Sequence, residues 1–195
     1  MSSFKVRVAT KNDAEAIRDI YAPYIETTAI SFEREVPSVD EIRTRIEARR
    51  PMYPWLVAET ISSEAEIAGY IYAGRFAARA AYDWSVESSL YIAQQYARQG
   101  IGRLMYGRLL PILKQQNFRM VYAGIALPNE PSVGLHEAMG FKKVANFDKA
   151  GFKFGSWHDV GWWALDLHPE FDEKVAKLIP FADLDLDLDW RKPSS

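Results

Sequence analysis

Gly100 and Gly102 stand one residue apart in QQYARQGIGRLMYGRLL (residues 94 to 110), at the mouth of an amphipathic run. A helix N-terminus carries unpaired N–H groups and about half a positive charge, and glycine lets an anion come close to the backbone. The chemistry on offer is a cradle for a pyrophosphate. The spacing matches neither the three-glycine dinucleotide fingerprint nor the Gly-Lys-Ser/Thr ending of the ATP-binding loop, and an ordinary tight turn into a packed helix would use the same residues. Just upstream, WSVESSLYI (84 to 92) reads as a strand whose period of two puts Trp84, Val86, Leu90 and Ile92 on one face. Ser85, Glu87, Ser89 and Tyr91 take the other, so Glu87 is a mid-strand carboxylate among hydroxyls. Shielded from water, such a group becomes a proton acceptor near neutral pH; turned to solvent, it is only a surface charge. His136, in PSVGLHEAM, could exchange protons or simply cap or pack a short helix, and His158 in SWHDVGWW carries the same ambiguity. Arg75 and Arg79, in GRFAARAAY, present forks suited to a carboxylate or phosphinate, or else they are solvated surface.

The elements that must position these groups alternate between strand and helix patterns with short connections, which predicts helices layered on a sheet. FKVRVA is a strand, and NDAEAIRDIYAPYIETT a helix on the spacing of Ala16, Ile17, Ile20 and Tyr24, with Asn12 or Asp13 as cap and Pro23 distorting its last turns. SVDEIRTRIEARR has the capping-box pair Ser38 and Glu41 and predicts a second helix. PWLVAET and EIAGYIYAGRF form a hairpin across ISSEA. After the glycine turn, Ile101, Leu104, Met105, Leu109 and Ile112 make a helical stripe, which Pro111 should kink near Gly107. FRMVYAGIAL is a strand, PSVGLHEAM a short helix with Pro131 near its start, GFKKVANF a strand after the Gly140 stop, and WHDVGWWALDL closes the sheet. Beyond His168, EFDEKVAKLI predicts a helix and ADLDLDLDW either an edge strand or a mobile tail.

With 195 residues, 48% of them hydrophobic, the chain suffices for one compact domain that buries roughly 70% of its unfolded surface. Lysine plus arginine (24) nearly balance aspartate plus glutamate (26), so the charge of -2 gives no reason to expect nucleic acid or a membrane surface as partner. The absence of cysteine excludes disulfides, thiolate catalysis and cysteine-bound zinc, and no metal site is expected. The start, MSSFKVRVATKND, lacks the apolar core of a signal peptide, no stretch approaches the ~20 apolar residues of a membrane span, and the expected location is cytoplasmic.

The block SLYI…ARQGIGRLM resembles the centre of the GNAT superfamily of acyl-CoA-dependent N-acyltransferases: a strand, a Gln/Arg-x-x-Gly-x-Gly/Ala turn and a helix. The likeness sharpens in RFAARAAYDWSVESSLYI, AGIALPNEPSVGLHEAMGF and GFKFGSWHDVGWWALDL, which, with TTAISFE, resemble the phosphinothricin and methionine-sulfoximine acetyltransferase subgroup from residue 4 to about 168. The resemblance implies an α/β (α+β) fold, a mixed and mostly antiparallel sheet flanked by helices, in one domain over 1–168 with 169–195 as an extension of it. It implies acetyl-CoA as cosubstrate, held by Leu90, Tyr91, Ile92, Arg98, Gln99, Gly100, Ile101, Gly102 and Arg103, with polar help from Asn129 and Ser132. It makes Glu87 the general base and His136, in place of the superfamily's usual tyrosine, an acid or relay. Main-chain amides of Leu90 to Ile92 would face the oxyanion. Phe32, Arg75, Arg79 and Tyr82 would bind a small amino acid analogue, and a homodimer is implied, with GFKFGSWHDV near the partner's pocket. The departure is Ala97, where the Gln/Arg position of the turn stands, which removes a side chain but no main-chain amide. A polyamine or protein N-terminus as acceptor, or a non-catalytic acyl-CoA-binding module, are the alternatives, and a cationic pocket argues against a polyamine.

Overall fold

The computed structural model describes residues 4–170 and 175–186. β1 (Phe4–Val8), β2 (Trp55–Thr60), β3 (Ile67–Arg75), β4 (Ser85–Ile92), β5 (Met120–Leu127), β6 (Lys142–Lys153) and β7 (Ser156–Asp166) form one sheet in the order β1-β2-β3-β4-β5-β7-β6. Every neighbouring pair is antiparallel except β4 and β5. Helices α1 (Ala14–Thr27), α2 (Val39–Arg49), α3 (Ile101–Gln115) and α4 (Glu130–Ala138) cover it. This is the layering of helices on a sheet that the alternating pattern implied, with the mixed, mostly antiparallel pairing that the resemblance implied. No helix among the described residues is long and apolar enough to cross a membrane.

The sheet is buried on both faces. On one, Val86 and Val121 pack with Met105, Leu109 and Leu113 of α3; on the other, Tyr70 and Val57 pack with Ile17 of α1 and Ile46 of α2. The alternation of β4 is therefore a division between two cores: Tyr91, opposite Val86 in parity, has its ring 4.6 Å from that of Tyr21 and 5.4 Å from that of Tyr70.

Several local expectations change on contact with neighbours. Asp13 stands at the N-cap position of α1, as expected, but its side chain makes no cap bond there: the carboxylate is drawn back to Arg7 at 2.7 and 2.8 Å and into a reciprocal capping box with Thr10, which caps the 3-10 turn Lys11–Asp13. Ser38 does cap α2, accepting the Glu41 N–H at 3.1 Å, while the Glu41 side chain goes to Arg45. Pro23 lies inside α1 and Pro111 inside α3, and neither ends its helix.

The helix expected at 170–179 is absent from residues 175–179, and residues 171–174 lie outside the description. Tertiary bonds override the local pattern here. Trp84 Nε1 donates to the Ala176 carbonyl at 2.8 Å, Asn117 to that of Lys177 at 2.7 Å, and Gln116 to that of Ile179 at 3.0 Å. The strap ends in a 3-10 turn, Phe181–Asp183, that buries Phe181 in the α3-side core. No strand forms over 182–186, and the rest of the acidic alternation, 187–190, lies outside the described residues.

Candidate active site

β4 is paired differently along its two edges. With β3 the register runs unbroken from Gly69 against Ile92 to Arg75 against Val86. With β5 it holds only for Ser85 with Met120, Val86 with Val121 and Glu87 with Tyr122, after which the strands part. β5 meanwhile stays zipped to β7 from Met120 against Asp166 to Leu127 against Asp159. Each strand follows its other neighbour, and the sheet opens between them.

Along an antiparallel pair alternate residues aim their main-chain groups at the same neighbour. Ala93 N–H donates to Ala68 C=O at 2.9 Å, so in this register Ser88, Leu90 and Ile92 turn their amides and carbonyls toward the gap. Tyr91 aims its main chain at β3 and its ring at Tyr21 and Tyr70; of the Leu90 to Ile92 amides expected to face an oxyanion, those of Leu90 and Ile92 are turned toward the opening. The Ile92 carbonyl takes the Tyr24 hydroxyl at 2.6 Å. A cleft of about 330 Å³ occupies the opening between residues 88–92 and 123–126, completed by Asn129, Ser132 and His136 of α4 and by Tyr24 and Ile30. A larger depression of about 660 Å³ lies elsewhere, lined by Asp13, Asp19, Glu59 and Glu66 with Arg7. Its acids would repel a phosphate.

Beyond Ile92 the chain enters the glycine turn. Gly100 has φ +81°, a left-handed conformation that glycine adopts freely, and Arg98 holds a left-handed φ of 62°. The first helical bond of α3 is Leu104 N–H to Gly100 C=O at 3.1 Å, so helix geometry leaves the amides of Ile101, Gly102 and Arg103 without intrahelical partners. The two glycines do different jobs. Gly102 is buried, and a Cβ there would lie 2.6 Å from Leu135 Cδ2 and 3.4 Å from Leu90 Cδ2, so its bareness seats α3 against α4 and β4. A Cβ at Gly100, by contrast, would meet nothing within 4 Å. Arg98, Gln99 and Arg103 are exposed around the turn.

Glu87 sits where the strands begin to part, half-buried, and burial pushes its carboxyl pKa above the ordinary value with no cation or donor offsetting it. Its β3 partner is Gly74, which leaves the space over it open on that side. Across that space lies Arg49, whose Nε is 3.5 Å from where a Gly74 Cβ would be and whose guanidinium rests 5.2 Å from the Tyr72 ring. Its β5 partner Tyr122 stacks on Phe76 at 4.3 Å, and Phe76 meets Trp162 edge-on at 5.9 Å and Tyr82 at 6.0 Å. Tyr82 thus joins an aromatic wall. Arg75 reaches Asp83 at 3.0 Å with its side chain largely exposed, and Arg79 is exposed at the head of the Ala80–Tyr82 turn. Phe32 does not line the cleft; it rides on Gly151 of the β6–β7 hairpin, its ring 6.3 Å from His158.

His136 reaches the cleft from a buried seat. Its Nδ1 lies 2.7 Å from the Ser132 carbonyl, which can only accept, so this nitrogen carries the proton. Nε2, 2.7 Å from the Tyr106 hydroxyl, is then the acceptor, and Tyr106 continues to Ser88 Oγ at 3.0 Å. Burial draws the His136 pKa down, against the pull of Ser132, and drives the Tyr106 pKa well up, so both are neutral. The histidine expected as an acid or relay has both nitrogens engaged. Asn129 caps α4, accepting the Ser132 N–H at 3.2 Å. Sequence reasoning missed Tyr106, Arg49, Tyr72, Phe76, Tyr122 and Trp162; Tyr106, one position from Met105 and three before Leu109, lay within reach of the helical stripe.

The acetyltransferase (GNAT) domain family matches residues 6–162. The chain is similar to a phosphinothricin N-acetyltransferase of Streptomyces viridochromogenes, 44% identical over 83% of this chain and 87% of that one. It is 30% identical to an L-methionine sulfoximine/L-methionine sulfone acetyltransferase of Salmonella typhimurium, over 83% of this chain and 94% of that one. In structure it resembles a GNAT superfamily phosphinothricin acetyltransferase from Sinorhizobium meliloti in complex with AcCoA, with a TM-score of 0.79 at 28% identity, over 84% of this chain and 88% of that one.

Proposed function

The chain belongs to the GNAT acetyltransferase family and is an N-acetyltransferase, and from that premise we propose that it moves an acetyl group from acetyl-CoA to the α-amino group of a small amino acid analogue. Phosphinothricin, methionine sulfoximine and methionine sulfone are the acceptor types its relatives suggest, and detoxification of such compounds is the role that follows. The observation that carries the reading is the parting of β4 from β5 immediately beyond a half-buried glutamate.

The residues present suit the cosubstrate. Main-chain groups of Leu90 and Ile92 offer an open strand edge to an extended arm, and the amides at the start of α3 offer a seat for its diphosphate. Asn129 and Ser132 flank the arm from α4. When bound, acetyl-CoA supplies an activated acyl group, so no acyl-enzyme is needed.

An alkylammonium has a pKa near ~10 and is not nucleophilic until it gives up a proton. Glu87 Oε is the acceptor for that proton, directly or through one water, and the burial that raises its pKa makes it a stronger base. The aromatic wall of Phe76, Tyr122, Trp162 and Tyr82 excludes bulk water from the amine. Arg75 and Arg79 grip the acid group of the acceptor, and Arg49, on its aromatic shelf, is a third cation on that side. His136 orients the α4 wall and passes a proton only through Tyr106 and Ser88.

Exposed Phe147, Phe152, Phe154 and Trp157 crowd the β6–β7 hairpin, an apolar surface that supports burial against a second copy in a homodimer. We place the enzyme in the cytoplasm and read 169–195 as an extension of a single domain.

The test is release of free thiol from acetyl-CoA with a panel of phosphinothricin, methionine sulfoximine, a polyamine and a peptide. Turnover with the amino acid analogues and none with the polyamine is expected. Turnover with the peptide alone, or coenzyme A binding with no turnover at all, overturns the proposal.

A further inference from the structure

The segment GFKFG contributes a side chain that the acetyl-transfer reading leaves unused. Lys153, the last residue of β6, is 6% exposed, and its Nζ donates to the main-chain carbonyls of Ile25 at 2.7 Å, Thr28 at 3.0 Å and Ser31 at 2.6 Å. An ammonium has three donors, and all three are spent on carbonyls. A lysine is almost never this buried without a partner. The partner here is the C-terminal end of α1, where the last carbonyls lack intrahelical donors and the helix dipole is negative. Phe154 adds a ring 5.0 Å from the ammonium.

The position of these carbonyls gives the contact its meaning. α1 lies over β3 and β4, whereas β6 is reached only through β5 and β7. A bond from Lys153 to the end of α1 therefore crosses above the parted strands. The loop it grips, between α1 and α2, carries Ile30, which lines the cleft, and Phe32, which lies on Gly151 of the same hairpin. Ser31 also bonds the Tyr21 hydroxyl at 2.7 Å, and Tyr21 packs on the cleft residue Tyr91. His158 Nε2 holds the Lys153 carbonyl at 3.0 Å from the opposite strand of the hairpin.

We propose that Lys153 is a positioning residue for the cosubstrate arm: its ammonium buckles the hairpin to the α1–α2 loop across the gap and fixes the wall that Ile30 gives the cleft. The inference rests on the placing of the acetyl-CoA arm in that cleft proposed above. The acceptor ground around Glu87, walled by Phe76, Tyr122, Trp162 and Tyr82, is built from other elements and does not depend on this buckle.

The absence of cysteine makes a clean test available, since Lys153→Cys introduces the sole thiol of the chain. Alkylating it with 2-bromoethylamine before refolding restores an ammonium of nearly the lysine's length. Lys153→Met should raise KM for acetyl-CoA about tenfold or more, as a wall displaced by about an ångström does, and leave KM for the amino acid acceptor within about twofold. Amide exchange over residues 28–33 should quicken about tenfold or more. The alkylated Lys153→Cys protein should return both readouts to near the parent values, and the unalkylated one should match Lys153→Met. Equal rises in both KM values, unchanged exchange in the loop, or no rescue by alkylation would overturn the proposal. If no amino acid analogue is turned over by the parent enzyme, the acceptor reading fails, while loop exchange and its rescue still decide whether Lys153 holds the loop.

Discussion

At one end of the parted strands the turn before α3 presents main-chain amides from consecutive residues; at the other, the ground around Glu87 is made of side chains gathered from β3, β4, β5, β7 and α2. The first surface is contiguous in the chain and tolerant of side-chain change, which is how Ala97 can stand at the usual Gln/Arg position without removing an amide. The second depends on register: Gly74 beside Glu87, Tyr122 on its other side, and Arg49 arriving from the end of a helix. A feature common to many acceptors can be built from backbone, whereas discrimination among acceptors needs shaped and charged side chains.

The contrast is most easily broken at Glu87. Glu87→Gln keeps the shape and removes the proton acceptor, so kcat/KM should fall by about 10²–10⁴ with acetyl-CoA affinity little changed. In the parent, activity should fall as pH drops through the raised carboxyl pKa, since the protonated form cannot accept the amine's proton, and this acid limb should vanish in the variant. A retained limb would assign the base elsewhere.

Tyr106→Phe probes the ground beneath both ends. It strips Ser88 and His136 Nε2 of a shared partner inside the core, which should cost about 1–3 kcal/mol in denaturant unfolding. The fall in kcat should be well below that of Glu87→Gln. A loss as large as the glutamate's would make the Ser88–Tyr106–His136 chain part of the chemistry.

The smallest effect sharpens the comparison within the turn itself. Gly100→Ala should cost about 1 kcal/mol for its left-handed φ and raise KM for acetyl-CoA. Gly102→Ala should cost about 1–2 kcal/mol by pressing on Leu135, measured as a lower thermal midpoint. If the second glycine alone altered acetyl-CoA binding, the division of labour between them would be reversed.

What the sequence disclosed follows the same line. The glycine turn and the parity of Glu87 were readable because each is a short-range pattern, and the layering of helices on a sheet followed from strand and helix periods in order, while its mixed pairing came only with the family resemblance. Arg49, Phe76, Tyr122 and Trp162 were not readable, since nothing in their own segments says which strand will lie beside which. Gly102 has a packing role that its own segment does not announce, since Leu135, which explains it, comes from another helix. The helical spacing of EFDEKVAKLI was a true local signal that failed over 175–179, where Trp84, Gln116 and Asn117 claim the carbonyls a helix would have used.

That strap also ties the end of the described chain into the core. The span shared with the family closes at residue 162, yet Phe181 is sunk in the core beneath α3 and the Ala182 N–H is tied to the Pro51 carbonyl at 3.2 Å. The family match and the architecture thus draw different borders around this molecule: the segment beyond the match plugs the floor of the fold, and cutting the chain at the end of the match would leave a hole.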